Sequence, residues 1–158
     1  MAEPEGKGLK SRVFKARFKK ICKDFPDANS VLEDHVVPFL ENIASGLANG
    51  EKIGKVFSEV ASRNSEINKK IGEFTHIHSS KEGHIVIVKF RVKLPGAGKS
   101  KGPRLFVTFV FFQETEWKYA LLKCHIHSQQ SDKSPKNEPT IEELLSILES
   151  TLQEIEEE

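Results

Sequence analysis

Residues 84–127 read HIVIVKFRVKLPGAGKSKGPRLFVTFVFFQETEWKYALLKCHIH, with apolar residues recurring at a period of two. Successive side chains of a β-strand point to opposite faces, so this period predicts strands that are buried on at least one face. Short turn-forming segments separate the periodic runs, which favours an antiparallel meander. We expect strands over 74–78, 84–94, 105–112 and 117–127.

The strands differ in how many of their faces are apolar. Residues 105–112 are apolar at nearly every position, which is typical of a central strand that is covered on both faces. In 84–94 the even positions are apolar, whereas three odd positions carry Lys89, Arg91 and Lys93. One face of this strand should therefore join the core, and the other should form a basic stripe.

Helical periodicity precedes and follows the meander. Apolar residues spaced by three and four predict helices over 14–25, 32–47 and 54–71, and we expect Pro38 to kink or split the second. After the meander, a capping box formed by Thr140 and Glu143 opens a last helix with a single apolar stripe. That stripe either covers the sheet or an earlier helix, or it forms the interface of a homodimer.

These elements predict an α+β fold, with N-terminal helices, then an antiparallel meander, then a closing helix. The chain has 158 residues, a length that fits one domain over 1–158. Within it we expect a helical part over 11–72, a sheet over 73–127 and a C-terminal helix with an acidic end over 139–155.

Composition excludes several classes of protein. Hydrophobic residues make up 37% of the chain and charged residues 30%, which is ordinary for a globular protein. The run 105–112 is far shorter than the roughly 20 apolar residues that span a bilayer, so we expect no membrane segment. The N-terminus lacks an apolar leader, and the chain has only two cysteines, so a cytoplasmic protein with reduced thiols is expected.

Charge is distributed unevenly along the chain. Residues 137–158 contain eight Glu and no Lys or Arg, which leaves 24 basic and 15 acidic residues in 1–136, a net charge of +9. A basic body suggests a polyanionic partner, which the acidic end would shield. The alternative is that charged helix faces are simply segregated.

Two short motifs suggest binding sites, one for a nucleotide and one for a metal ion. Gly98-Lys99-Ser100 resembles the end of a nucleotide-binding P-loop, but Lys93 stands where that motif requires Gly, and a strand follows instead of a helix. Two His-x-His pairs have a spacing that can chelate a metal if their strands are neighbours. These pairs are His76 with His78 and His125 with His127.

The distribution of basic residues and histidines is the stronger signal. An antiparallel meander would bring them to one surface, where the cations neutralise phosphates and histidine transfers protons near neutral pH. Such a surface suits RNA, although a solvated Lys-rich loop with two ordinary histidines would have the same composition. The residues concerned are Lys89, Arg91, Lys93, Lys99, Lys101, Arg104, His125 and His127.

The segment Phe90–Arg104, with Lys89 before it and an apolar strand after it, resembles the HigB-type branch of the RelE/ParE toxin superfamily. Members show the pattern K-x-R-x-x-x-P-G-x-G-K-x-G-G-x-R, and the resemblance covers about residues 86–150. It implies a curved antiparallel sheet and an endoribonuclease of a type II toxin–antitoxin system. Its substrate would be mRNA, including mRNA on the ribosome, and its partner a cognate antitoxin protein.

The resemblance also implies a mechanism and its residues. No metal or other cofactor is needed, because the 2′-hydroxyl of the RNA attacks the adjacent phosphate. Lys99 and Arg104 fall on the family's Lys and Arg, and Arg104 would clamp the phosphate. His125 and His127 would transfer protons, and RNA binding would extend over Lys89, Arg91, Lys93 and Lys101.

The sequence is also compatible with two other classes of function. The first is a catalytically silent member of the same fold that binds RNA or protein through its basic face. The second is a metal-binding protein that uses the paired histidines.

Overall fold

A computed structural model describes residues 8–63, 69–94, 102–112, 116–125 and 139–157. It confirms a mixed α+β architecture in which helices come first, then a meander, then a closing helix. The helices are α1 (Arg12–Asp24), α2 (Ala28–Val31), α3 (Val37–Ala48), α4 (Ile53–Arg63) and α5 (Ile141–Glu157), and the strands are β1 (Leu9–Lys10), β2 (Ile71–Ser79), β3 (Ile85–Val92), β4 (Arg104–Phe112) and β5 (Glu116–His125).

The five strands form one sheet in the order β1-β5-β4-β3-β2. The pairs within the meander are antiparallel, as predicted, whereas β1 runs parallel to β5. The sequence analysis did not anticipate β1, because two residues are too short to show a period. Ser11 holds this strand in place: its hydroxyl donates to the carbonyl oxygen of Leu122 at 2.7 Å and accepts from the amide of Phe14 at 2.9 Å, which also caps α1.

Helix boundaries differ from the predictions at two places. A π-helical turn over Leu32–Val36 precedes α3, close to Pro38, which has no amide hydrogen to donate to the preceding turn. The predicted third helix, over about 54–71, differs at its last residue: Lys69 and Lys70 are helical, residues 64–68 lie outside the described ranges, and Ile71 is not helical. Ile71 begins β2, because pairing with Val92 of β3 buries its side chain. Among the described helices, none combines the length and the apolar character that a membrane span requires.

The first face of the sheet packs against the N-terminal helices, and we call it the helical face. The apolar even positions of β3 lie here, including Val88 and Phe90, as the alternation predicted. Phe39 of α3 is fully buried at the centre of this core. Its ring makes edge contacts with three other rings at centroid distances of 5.7–6.0 Å, those of Phe57, Phe74 and Phe90.

The second face of the sheet is covered by α5, and we call it the α5 face. Ile87 of β3 and Phe106 of β4 are buried here against Leu144 and Leu148 of the helix. Of the two roles predicted for the apolar stripe of α5, the structure shows the cover of the sheet. It also confirms that β4 is a central strand with both faces buried.

We predict that Phe39→Ala lowers the free energy of unfolding by about 3–5 kcal/mol, because it removes a fully buried ring and leaves a cavity among three others. Urea unfolding followed by circular dichroism measures this change. Val13→Ala on the exposed side of α1 is the control and should change stability by less than about 0.5 kcal/mol. Equal losses for both variants would contradict the assignment of Phe39 to the core.

Candidate functional site

A row of three residues crosses the sheet at the end of the meander. In the strand register, Arg91 of β3 lies directly opposite Arg104 of β4, and Arg104 lies opposite His125 of β5. Since Ile87 and Phe106 belong to the α5 face, alternation places both arginines on that face as well. We call Arg91, Arg104 and His125 the arginine row.

One carboxylate binds both arginines. Glu73 of β2 accepts from Nε of Arg91 at 3.2 Å and forms an ion pair with Nη2 of Arg104 at 3.6 Å. The two guanidinium groups therefore share the negative charge of Glu73. Such a pair suits a ligand with several anionic oxygens, such as a phosphate diester.

A β-bulge brings Glu73 to the arginine row. The register between β2 and β3 shifts between Gly72 and Thr75, so that two residues of β2 face one residue of β3. Glu73 has a φ of 55°, which makes it the one residue other than glycine with a positive φ among the described residues. Such a backbone is costly outside glycine, and bulges often direct side chains at functional sites.

The members of the cluster differ in solvent access. The side chains of Arg91 and Arg104 are 8% and 15% exposed, whereas that of Glu73 is 58% exposed. Within this cluster the carboxylate is therefore the group that solvent reaches most easily. Low solvent access strengthens the electrostatic attraction between the guanidinium groups and an incoming anion.

Arg91 also has a structural role. Its Nη1 donates to the carbonyl oxygen of Gly102 at 3.0 Å, which fixes the chain just before β4. At Gly102 a methyl group would overlap the carbonyl oxygen of Val92, so this position requires glycine. The glycine and the arginine thus depend on the same close approach of two backbone segments.

The next row of the α5 face lies beside the arginine row and marks where α5 begins. It contains Lys89, Phe106 and Lys123 in register. Nζ of Lys123 donates to Glu143 in the first turn of α5 at 2.9 Å, and this hydrogen bond lowers the pKa of the Glu143 carboxyl. The cover supplied by α5 therefore starts next to the arginine row.

The structure changes the picture of the predicted basic stripe on β3. Arg91 is buried and bound to Glu73 and Gly102, so it is not part of a solvent-facing stripe as expected. Lys89 is half-buried and Lys93 is exposed. The reason is that the odd face of β3 is partly covered as well: Ile87 packs in the cluster beneath α5, and Glu73 binds Arg91.

Other predicted site residues fall outside what the structure describes. Lys99 and Lys101 lie within 95–101, and His127 lies within 126–138, both outside the described ranges. For His125 the structure gives the strand position opposite Arg104. The predicted convergence of these residues on one surface thus stays a prediction, apart from the register of the arginine row.

Sequence reasoning missed Glu73. It is the single acidic residue in Ile71–Ser79, and it follows Gly72, which in a strand often marks a bulge. That glycine is a signal for irregular pairing, but only the register of β2 against β3 shows where the carboxylate goes.

The strands β2 and β5, to which the two predicted histidine pairs were assigned, are not neighbours in the sheet, and His127 lies outside the described residues. His76 and His78 lie on β2, which is separated by β3 and β4 from His125 on β5. A second register shift places His76 opposite Val88 of the helical face and His78 opposite Ile87 of the α5 face. Within the described ranges, no three His, Cys, Asp or Glu side chains are grouped as metal ligands.

Cys124 is not a candidate nucleophile. Its side chain is fully buried, and burial raises the pKa of its thiol to about 12. The thiolate is the reactive form of cysteine, and it is negligible near neutral pH at that pKa.

We predict that Arg91→Gln destabilises the fold by about 1–3 kcal/mol, because it removes the donor to the Gly102 carbonyl and the closer of the two guanidinium groups that bind Glu73. Lys93→Gln removes the same charge two residues away at an exposed position and should cost less than about 0.5 kcal/mol. Thermal and urea unfolding of both variants tests this. The assignment fails when the two variants are equally stable.

The chain stands apart in comparisons with known proteins. No family model, curated protein or solved structure matches it. The side chains and the geometry of the arginine row are therefore the basis on which a function can be argued.

Proposed function

We propose that the protein is an endoribonuclease whose active centre is the arginine row together with Glu73. The observation that carries this proposal is the contact of one exposed carboxylate with two mostly buried guanidinium groups, at 3.2 and 3.6 Å. Cleavage of RNA by its own 2′-hydroxyl needs a base, a clamp for the phosphate and an acid. A carboxylate, a guanidinium and an imidazole on neighbouring strands are a matching set.

Each member has a defined role in the proposed reaction. Glu73 accepts the proton of the 2′-hydroxyl, whose oxygen then forms a bond to the adjacent phosphorus. Arg104 binds the phosphate oxygens as their negative charge grows, and Arg91 supports it from the neighbouring strand. His125 donates a proton to the 5′-oxygen as the bond from phosphorus to that oxygen breaks. The products are a 2′,3′-cyclic phosphate and a 5′-hydroxyl end.

The position of Glu73 supports its role as the base. Its side chain is the most exposed of the cluster at 58%, so a ribose hydroxyl can approach it. The bulge holds its backbone in an unfavourable conformation with φ of 55°, and such conformations concentrate at sites where function requires them. When phosphate binds Arg104, the carboxylate is released from that guanidinium and remains beside the reacting group.

The wider proposal is a HigB-type toxin with mRNA as its substrate and an antitoxin protein as its partner. The motif Lys89 to Arg104 supports it, together with the net charge of +9 over 1–136. A partner that inhibits this site would need carboxylates to pair with the arginine row, as Glu73 does. A cytoplasmic location follows from this role and is part of the same proposal.

We predict that purified protein cleaves a 5′-labelled single-stranded RNA in the presence of EDTA and leaves cyclic phosphate ends. Arg104→Gln should slow cleavage by about 10²–10³-fold, because a donor to the developing charge is lost. Glu73→Gln should slow it by about 10²–10⁴-fold, because the amide cannot accept the proton. Gel electrophoresis with mass spectrometry of the ends measures both effects.

Lys81→Gln is the charge-matched control, because Lys81 lies on the exposed turn at the opposite end of β3 from Arg91. Its cleavage rate should equal that of the wild type. RNA binding without cleavage by folded wild-type protein would contradict the nuclease and favour the catalytically silent binding module. Cleavage that survives Arg104→Gln unchanged would contradict the assigned site.

A further inference from the structure

A groove of about 400 Å³ lies between α1 and the end of β5, next to the arginine row but outside it. The groove exists because β1 pairs with β5 only as far as Leu121. Beyond that residue, α1 rather than a strand lies beside β5. The residues that line it are Val13, Ala16, Arg17, Lys20, Lys123 and Cys124.

The helix that forms one wall of the groove is strongly basic. Phe14 and Ile21 are buried against the sheet, so the charged residues of α1 occupy the rest of its circumference. Within the part of the chain that the structure describes, neither Arg17 nor Lys20 forms an ion pair. Over its 13 residues α1 has one acid, Asp24, against six cations: Arg12, Lys15, Arg17, Lys19, Lys20 and Lys23.

The groove lies near the proposed active centre along β5. Lys123 lines the groove, and His125 stands two residues further along β5, opposite Arg104. The arginine row lies on the α5 face and α1 packs on the helical face, and the groove lies between them at the edge of β5, where Lys123 and Cys124 line it. Two residues of a strand span about 7 Å, so the groove begins close to the arginine row. A chain of phosphates bound at the row would continue into the groove.

Two carboxylates of α5 form ion pairs with cations near the groove. Lys123 is bound to Glu143 at 2.9 Å, and Arg12 is bound to Glu154 at 3.0 Å. Glu143 is close to half exposed, so solvent and ligands reach the Lys123 pair. A phosphate entering the groove would therefore compete with Glu143 for Lys123.

We propose that the groove binds the phosphate backbone of single-stranded RNA next to the cleaved bond. That the ligand is RNA rests on the proposed function. That the ligand is a polyanion rests on the positive charges of Arg17, Lys20 and Lys123. The lining contains three cations and no aromatic residue of the kind that anchors protein partners. A regularly charged backbone fits it better than an acidic protein does.

Binding of a labelled 12-nucleotide 2′-O-methyl RNA to the full chain, followed by fluorescence anisotropy, tests this. The oligonucleotide has no free 2′-hydroxyl, so binding is measured without cleavage. The double variant Arg17→Gln/Lys20→Gln should bind at least about 10-fold more weakly and lower the salt slope by about 1.4, which is the value for two phosphate contacts in a single strand.

The matched control is Lys15→Gln/Lys19→Gln, which removes the same charge from the same helix but away from the groove. It should weaken binding by no more than about 3-fold, through the loss of general attraction. Glu143→Gln should strengthen binding about 2- to 5-fold by releasing Lys123, whereas Glu142→Gln on the same turn should not. Circular dichroism confirms that each variant is folded.

Length dependence separates this proposal from the nuclease proposal. A dinucleotide has a single phosphate and reaches only the arginine row, so groove variants should cleave it as the wild type does.

Equal losses for the groove pair and the control pair would overturn the groove as a site, as would an affinity that no variant changes. Groove-dependent binding by a protein that cleaves no RNA would retain the groove and reject the nuclease. Selective capture of an acidic protein with no RNA binding would overturn RNA as the occupant.

Discussion

The fold depends on one constraint, which is that β4 is apolar on both faces and must be covered twice. Leu105, Val107 and Phe109 require the N-terminal helices on one face, and Phe106 and Val110 require α5 on the other. Each cover adds buried apolar area, which is the main favourable term in folding. The arrangement also limits α5 to the part of the sheet where the residues beneath it are apolar.

The candidate site lies where α5 stops covering the sheet. Beyond the row of Lys89, Phe106 and Lys123, the α5 face carries charged residues, and the helix gives way to an exposed carboxylate. Glu73 neutralises part of the charge of Arg91 and Arg104, and in the proposed reaction it gives way to the phosphate at Arg104. A bulge, rather than regular pairing, makes this possible. The contacts of Glu73 with the two arginines therefore belong both to the fold and to the proposed reaction.

Much of the fold followed from periodicity, because alternation directly reports which face of a strand is buried. This worked for the four strands of the meander and for the central place of β4. It failed for β1, which only tertiary contacts define, and for Ile71, which burial recruits into a strand. At the candidate site, Arg104 was predicted from its motif, whereas Glu73 and the burial of Arg91 were not. Both depend on the register shift that brings Glu73 to Arg91, and a register shift cannot be read from local sequence.

The most direct measurement is a crystal structure of the protein with an uncleavable 2′-O-methyl RNA. The account predicts a phosphate within about 3.2 Å of the guanidinium of Arg104, with Glu73 released from that arginine and next to the 2′-oxygen. It predicts the following phosphates along the groove beside α1. A bound RNA that contacts another surface, with Glu73 still paired to both arginines, would contradict the account.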